Sequence, residues 1–193
     1  VELAYLPAEA LARGRRAAGE GRRARQGAVG GLIGLGAIGA RMAGYGRMLG
    51  MHVVAHDPFA GPTPEVTLAP LDDVIRQADV LSLHCPLTDD NRGLIGAAVI
   101  AAMRDGAILI NTARGGLVDE PALIAALRSG KLRAAGLDTF AMEPLVDAGR
   151  FRDLDNAVLS PHIGGVSNEA YVRMGVEAVD NALAILRSAP VAG

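Results

Sequence analysis

Several things are scarce in this chain, and each scarcity excludes something. One cysteine, Cys85, stands among 193 residues, so no internal disulfide and no multi-cysteine zinc or iron–sulfur site can form. Tryptophan is absent and aromatic residues make up 3%, which leaves core packing to Ala, Val, Ile and Leu. No charge sign is in excess: 19 basic against 21 acidic side chains give a formal net charge of -2. The electrostatic footprint of a protein that works on nucleic acid or on an anionic membrane is therefore missing. Long apolar runs are missing too, since the longest uncharged stretch, Gln26 to Ala40, falls short of the roughly 18 residues that suggest a bilayer span. No basic-then-apolar leader opens the chain, and a lone cysteine without such a leader points to a reducing cytoplasm. The first residue is Val1 rather than Met, which reads as a fragment.

What is present is apolar and glycine-rich: 50% hydrophobic residues and 25 Gly. From Val29 onward, short apolar runs alternate with segments of helical spacing, the pattern of βαβ units and a parallel sheet covered on both faces. Strands are expected at Val29–Ile33, His52–His56, Val80–His84, Ala107–Ile110, Ala134–Leu137 and Ala157–Leu159. Helices are expected at Ile38–Leu49, Leu71–Gln77, Ala97–Met103 and Pro121–Arg128. Gly50 and Gly130 fit as helix C-caps, and Asp119 as an N-cap ahead of Pro121. The fold class is therefore α/β, a Rossmann-like doubly wound sheet occupying residues 26–166. Residues 1–25 form an Arg-rich leading segment with six arginines from Arg13 to Arg25, read as a solvated face. Residues 167–193 form an amphipathic helix and tail, with apolar Ala170, Met174, Val176, Val179, Leu183 and Leu186 on one side.

Gly34-Leu35-Gly36-Ala37-Ile38-Gly39 follows the first strand and opens the first helix. In that setting Gly34 permits the tight turn, Gly36 lets backbone N–H groups approach a pyrophosphate, and Gly39 lets helix pack on strand. The helix N-terminus adds partial positive charge for the phosphates. Asp57 ends the second strand, where its carboxylate can accept from a ribose diol. A related turn can serve FAD or S-adenosylmethionine, and a methyltransferase stays open on that account. The strand, the helix and Asp57 together favour a nicotinamide dinucleotide. No Arg follows Asp57 until Arg76, so NAD is favoured over NADP.

Ligands of open parallel sheets bind beyond the strands' carboxyl ends, and three motifs are stationed there. Asn111-Thr112-Ala113-Arg114-Gly115-Gly116 follows the fourth strand, Asp138-Thr139-Phe140-Ala141-Met142-Glu143-Pro144 the fifth, and Ser160-Pro161-His162-Ile163-Gly164-Gly165 the sixth. With Asp57-Pro58 and Ser82-Leu83-His84-Cys85-Pro86-Leu87-Thr88, they make the chain resemble the NAD-binding part of the D-isomer-specific 2-hydroxyacid dehydrogenases over about Val29 to Ala189. The resemblance implies that Arg114 holds a substrate carboxylate and carbonyl oxygen, a task for a planar, permanently charged fork. It implies that His162 is the general acid/base and that Glu143 orients His162 and favours its protonated form. It places Ala37 and Ile38 at the pyrophosphate and Asp138 beside the nicotinamide carboxamide. Pro86, Thr112, Ala113 and Gly165, with Gly34, Gly36, Gly39, Asp57 and also Arg114 and His162, complete the cofactor-binding set; no metal site is expected.

The resemblance further implies NAD as cofactor, a small 2-hydroxy or 2-oxo acid as substrate and a homodimer. In the family the substrate domain is built mainly from a segment preceding the dinucleotide fold. These 193 residues are accordingly expected to bind NAD and to turn over 2-oxo acids poorly or not at all. A non-catalytic NAD-sensing interaction module of corepressor type is the alternative, since it could carry the same Arg, Glu and His. His52, His56 and His84 read as structural or near-cofactor, and Cys85 as a small buried hydrophobe.

Overall fold

The structure, a computed structural model, describes residues 27–64, 66–144, 148–151 and 153–188. Its centre is a parallel sheet of β1 (Val29–Ile33), β2 (His52–His56), β3 (Thr67–Leu68), β4 (Val80–Leu83), β5 (Ala107–Asn111), β6 (Leu132–Leu137) and β7 (Ala157–Leu159). The strands lie side by side in the order β3-β2-β1-β4-β5-β6-β7. β1 pairs with β2 on one edge and β4 on the other. The chain therefore winds outward in both directions from β1 and opens a crevice beyond its carboxyl end.

Helices α1 (Ala37–Met48), α2 (Leu71–Gln77), α3 (Ala97–Ala102) and α4 (Glu120–Ser129) connect the strands, and α5 (Asn168–Ser188) follows the sheet. Alternate strand residues serve the two faces. Leu32, Val53 and Ala55 pack with Ala43 of α1 on one side. Ile33, Val54, Leu81, Leu83 and Leu109 join Val74 and Ile75 of α2 and Leu123 and Leu127 of α4 on the other. Burial on both faces is why the strands read as continuous apolar runs rather than as alternating ones.

The expected elements form with small shifts at their ends. β5 continues through Asn111 and β6 starts at Leu132, whereas β4 stops at Leu83 and leaves His84 in the turn. The two-residue edge strand β3 has no counterpart in the sequence reading, because Thr67–Leu68 is too short to display a period. Asp119 caps α4 by accepting the Ala122 N–H at 3.0 Å, and Gly130 ends the helix at φ 78°, a left-handed conformation that favours glycine. Ser167 caps α5 through its hydroxyl, which accepts the Ala170 N–H at 3.1 Å. The apolar residues Met174, Val176, Val179, Leu183 and Leu186 of α5 are exposed. Among the described residues no helix is long and apolar enough to cross a membrane. The Arg-rich leading segment lies outside the described residues.

Candidate functional site

At the β1–β2 end the site is made of backbone. Gly34 sits at φ +97°, and a Cβ there would stand 2.6 Å from the His84 carbonyl carbon, so conformation and space both require glycine. A Cβ on Gly39 would collide with the Gly34 carbonyl oxygen, which fixes how closely α1 approaches the turn. Gly36 is different: nothing lies within 4 Å of where its Cβ would be. It is the N-cap of α1, it offers no side-chain cap, and the first turn holds no acidic residue. Gly36, Ala37 and Ile38 are exposed, so the N–H groups of Ala37 and Ile38 stand at the positive end of the helix dipole with room before them. That arrangement fits a pyrophosphate.

Asp57 leaves β2 beside this turn. Its Oδ2 accepts the Leu35 N–H at 2.7 Å, and its Oδ1 accepts the N–H groups of Phe59 at 2.8 Å and Ala60 at 3.2 Å. These bonds, the one from Leu35 first, hold the carboxyl below the usual aspartate range. Asp57 thus ties the glycine turn to β2 as well as facing the cavity, of about 510 Å³, that opens between them. Gly36, Phe59, His84 and Pro86 also line it, and its size suits one half of a dinucleotide. Arg76, the first arginine after Asp57, is bound at 2.7 Å to Asp73 within α2.

Nearby side chains hold the rim. Asn91 closes the turn after β4 by accepting the Thr88 N–H and donating to the Pro86 carbonyl, both at 2.8 Å. Burial pushes His84 down to about 4, so its imidazole is neutral at physiological pH, with Nε2 2.9 Å from the Ser82 hydroxyl. Burial pushes the Cys85 thiol up, which leaves it protonated and unreactive. His52 is exposed at the start of β2, and His56 Nδ1 lies 3.2 Å from the Ala69 carbonyl.

At the β5–β7 end the site is made of side chains. Asn111, at the last position of β5, is buried and accepts the Ala113 N–H at 3.0 Å while donating to the Arg114 carbonyl at 2.9 Å. That clasp shapes the turn through Thr112 and Ala113 and leaves Arg114 exposed, its guanidinium donating to the Ala113 carbonyl at 2.6 Å. A Cβ on Gly115 would collide with the Phe140 carbonyl, so only glycine lets the turns after β5 and β6 touch. Because β5 lies between β4 and β6, Arg114 stands between the two halves of the edge.

Asp138, 2% exposed, accepts from the Ser160 hydroxyl and, at 2.9 Å each, from the N–H groups of Ile163 and Gly164. The residue before them, His162, has φ +56°, a conformation that costs a non-glycine residue roughly 1 kcal/mol or more and needs such fastening. His162 Nδ1 lies 2.7 Å from Glu143 Oε2, and Glu143 Oε1 accepts the Phe140 N–H at 2.8 Å. Partial burial pushes the Glu143 carboxyl up, but the His162 and Phe140 hydrogen bonds and the charges of His162 and Arg114 outweigh it and hold the group below the usual range. Both side chains line a second cavity of about 490 Å³, together with Phe140, Ser160 and Pro161; exposed Gly165 follows on the same loop.

The carboxyl ends of the strands thus carry every residue that the sequence analysis named for the cofactor and the acid/base chemistry. Asn111 and Ser160 stand in the motifs quoted from the sequence, but their supporting roles and the loop-fastening role of Asp138 were not anticipated; a strand-terminal Asn before a turn is a usable signal for the first, whereas nothing local marks the other two.

Comparison with known proteins agrees with this geometry. The profile of the family described as D-isomer specific 2-hydroxyacid dehydrogenase, NAD binding domain, matches residues 8–164. Hydroxypyruvate reductase of Thermotoga maritima is 45% identical over 153 residues, 78% of this chain and 50% of the relative. Glycerate dehydrogenase of Methylorubrum extorquens is 43% identical over 162 residues, 83% of this chain and 50% of the relative. The fold superposes on a crystal structure of D-lactate dehydrogenase with NAD+ from Lactobacillus jensenii with a TM-score of 0.76 at 34% identity, covering 82% of this chain and 52% of that one. The chain spans half the length, or less, of the curated relatives it matches. These relatives are dehydrogenases and reductases, and the corepressor-type reading gains no support from them.

Proposed function

The chain belongs to the D-isomer specific 2-hydroxyacid dehydrogenases, through their NAD binding domain, and from that premise we propose that it is the cofactor-binding half of an oxidoreductase interconverting a D-2-hydroxy acid and its 2-oxo partner. The observation that carries the reading is the Glu143–His162 pair at 2.7 Å, set on the same sheet edge as the open glycine turn and Arg114. When bound, the nicotinamide cofactor supplies or accepts the hydride. The amides of Ala37 and Ile38 would hold its pyrophosphate and Asp57 its ribose, with Pro86, Thr112, Ala113, Asp138 and Gly165 along the nicotinamide half. An ionised Asp57 repels a 2′-phosphate, and the first arginine after it, Arg76, is paired with Asp73, which supports NAD over NADP.

Arg114 presents a permanent charge to the substrate's carboxylate and carbonyl oxygen. His162, with Nδ1 engaged by Glu143, offers its other nitrogen to give a proton to the carbonyl oxygen during reduction and to take it back during oxidation. The carboxylate of Glu143 holds the ring in that orientation. A homodimer and a cytoplasmic setting belong to the same proposal, supported by the family resemblance and by the lone cysteine.

The test is a titration of the 193-residue chain with NADH followed by nicotinamide fluorescence, which no tryptophan obscures. Saturable binding is expected, tighter for NADH than for NADPH, and Asp57→Ala weakens it about tenfold by removing the ribose acceptor. Absence of binding removes the cofactor reading. In protein competent for turnover of a 2-oxo acid, His162→Ala abolishes NADH oxidation and leaves NADH affinity nearly unchanged; retained turnover rejects the acid/base role.

A further inference from the structure

Behind the Glu143–His162 pair lies a set of charged and aromatic side chains that neither the cofactor turn nor the acid/base chemistry uses. Glu120 opens α4 immediately after its capping Asp119, yet it is only 4% exposed. A helix that already has its cap does not need a buried carboxylate, and taking one out of water costs several kcal/mol. The Glu120 carboxylate is committed elsewhere. Its Oε1 accepts the Ala141 N–H at 2.6 Å, and its Oε2 lies 2.6 Å from Arg150 Nη2 as an ion pair without hydrogen-bond alignment. The Arg150 guanidinium sits 5.5 Å from the centroid of the Phe151 ring. Phe151 in turn meets Phe140 edge-on, with centroids 5.9 Å apart at 63°. The contacts run in a closed ring from the Phe140–Ala141 peptide through two aromatic rings and an ion pair back to that peptide.

The gripped peptide belongs to the turn that presents Glu143. Its two neighbouring N–H groups are divided between two carboxylates: Phe140 donates to Glu143 on the cavity side, and Ala141 donates to Glu120 on the buried side. The backbone of Gly115 presses on the same peptide and excludes any side chain there. The turn can therefore shift only if the Glu120 bond breaks, and Glu143 shifts with it, since its own Oε1 is fastened to the turn.

We propose that Glu120, seated by Arg150, is a positioning residue that fixes the Phe140–Glu143 turn so that Glu143 meets His162. This rests on the reading of Glu143 and His162 as the acid/base pair. The ion pair with Arg150 offsets the cost of burying the Glu120 carboxylate and so keeps its Oε1 on the Ala141 N–H.

The experiment is a carbon-13 NMR titration of the Glu143 carboxyl in the full 193-residue chain, with urea denaturation run on each variant. Among the described residues, the titratable and charged groups that act on this carboxyl are His162 and Arg114. In Glu120→Ala the turn relaxes, the bonds from His162 and Phe140 weaken, and the Glu143 midpoint rises toward the ordinary glutamate range. Glu120→Gln keeps an acceptor for the Ala141 N–H without needing a counter-charge, and restores the midpoint. A Glu120→Ala protein that loses stability but keeps the wild-type Glu143 midpoint overturns the proposal, because a merely structural role moves the first quantity and not the second. If Glu120→Ala does not fold, Arg150→Gln decides: it leaves Glu120 without its cation, and an unchanged Glu143 midpoint there overturns the proposal equally. His162→Ala separates the two levels. A midpoint that rises in His162→Ala but not in the Glu120 and Arg150 variants rejects the positioning role alone. A midpoint unmoved by His162→Ala rejects the Glu143–His162 pairing and, with it, the inference.

Discussion

The two ends of the sheet edge solve the same problem with different materials. Around β1 and β2 the ligand-facing surface is mostly backbone: Gly34, Gly36 and Gly39 remove side chains so that N–H groups and a helix dipole stand open, and the Asp57 carboxylate both braces the turn and faces the cavity. Around β5, β6 and β7 the surface is side chain, and every reactive group rests on another: His162 on Glu143, Glu143 on the Phe140 turn, that turn on Glu120, and the His162 loop on Asp138. A backbone site tolerates change poorly in shape but needs little support. A side-chain site needs a buried scaffold of polar groups, each costly if left unpaired.

Breaking the contact between the turns is expected to have the largest effect. Gly115→Ala forces the Phe140–Ala141 peptide away, with a loss of roughly 3 kcal/mol or more in urea denaturation, and Glu143 loses its hold on His162. A variant as stable as the wild type would mean that the turns are not in contact. Acidification comes next and tests the seam between the ends, where His84 sits. Its folded value, about 4, lies below the ordinary 6.5, so the fold favours the neutral imidazole. Stability is then complete above pH 6.5 and declines as pH falls toward 4, because the unfolded chain takes up a proton that the folded one refuses. Wild type should lose roughly 2 kcal/mol between pH 7 and pH 5 through this group, and His84→Gln should not show that component.

A smaller effect sharpens the contrast between glycines. Gly36→Ala meets no neighbour and has an ordinary negative φ, so thermal stability should change by less than about 1 kcal/mol. NADH affinity should nonetheless fall about tenfold as the methyl group enters the phosphate space. A stability loss without an affinity loss would reverse the assignments of Gly36 and Gly39. The smallest effect is expected far from both ends: Arg76→Ala removes exposed ion pairs to Asp72 and Asp73 and should leave the urea midpoint nearly unchanged, because solvent screens such pairs.

Legibility in the sequence differed between the same two regions. The glycine turn could be read because each glycine answers a local steric demand that repeats wherever a strand runs into a helix around a phosphate. β1, β2, α2 and β7 were legible to the residue, since Gly34, Asp57, Pro70 and Ser160 each mark one of their ends. Edge strand β3 was not, because two residues cannot show a period. At the other end the residue types of Arg114, Glu143 and His162 could be picked out, and the resemblance assigned their roles. Their supports could not: Glu120 looks like an ordinary first-turn glutamate, and Arg150 lies 30 positions away with no motif around it.

By itself, then, the amino-acid sequence determined a parallel α/β sheet, a turn built for a pyrophosphate and an inventory of chemical groups at the strand ends. Those follow from backbone sterics and from the burial of apolar runs, which act over a few residues at a time. Only the tertiary structure decided the 2.7 Å contact between Glu143 and His162 that the resemblance implied, that Asp138 also fastens the His162 loop and that Glu120 and Arg150 stand behind them. Hydrogen bonds and ion pairs between separate turns depend on distances of a few tenths of an ångström, and those distances exist only once the sheet has brought β5, β6 and β7 side by side.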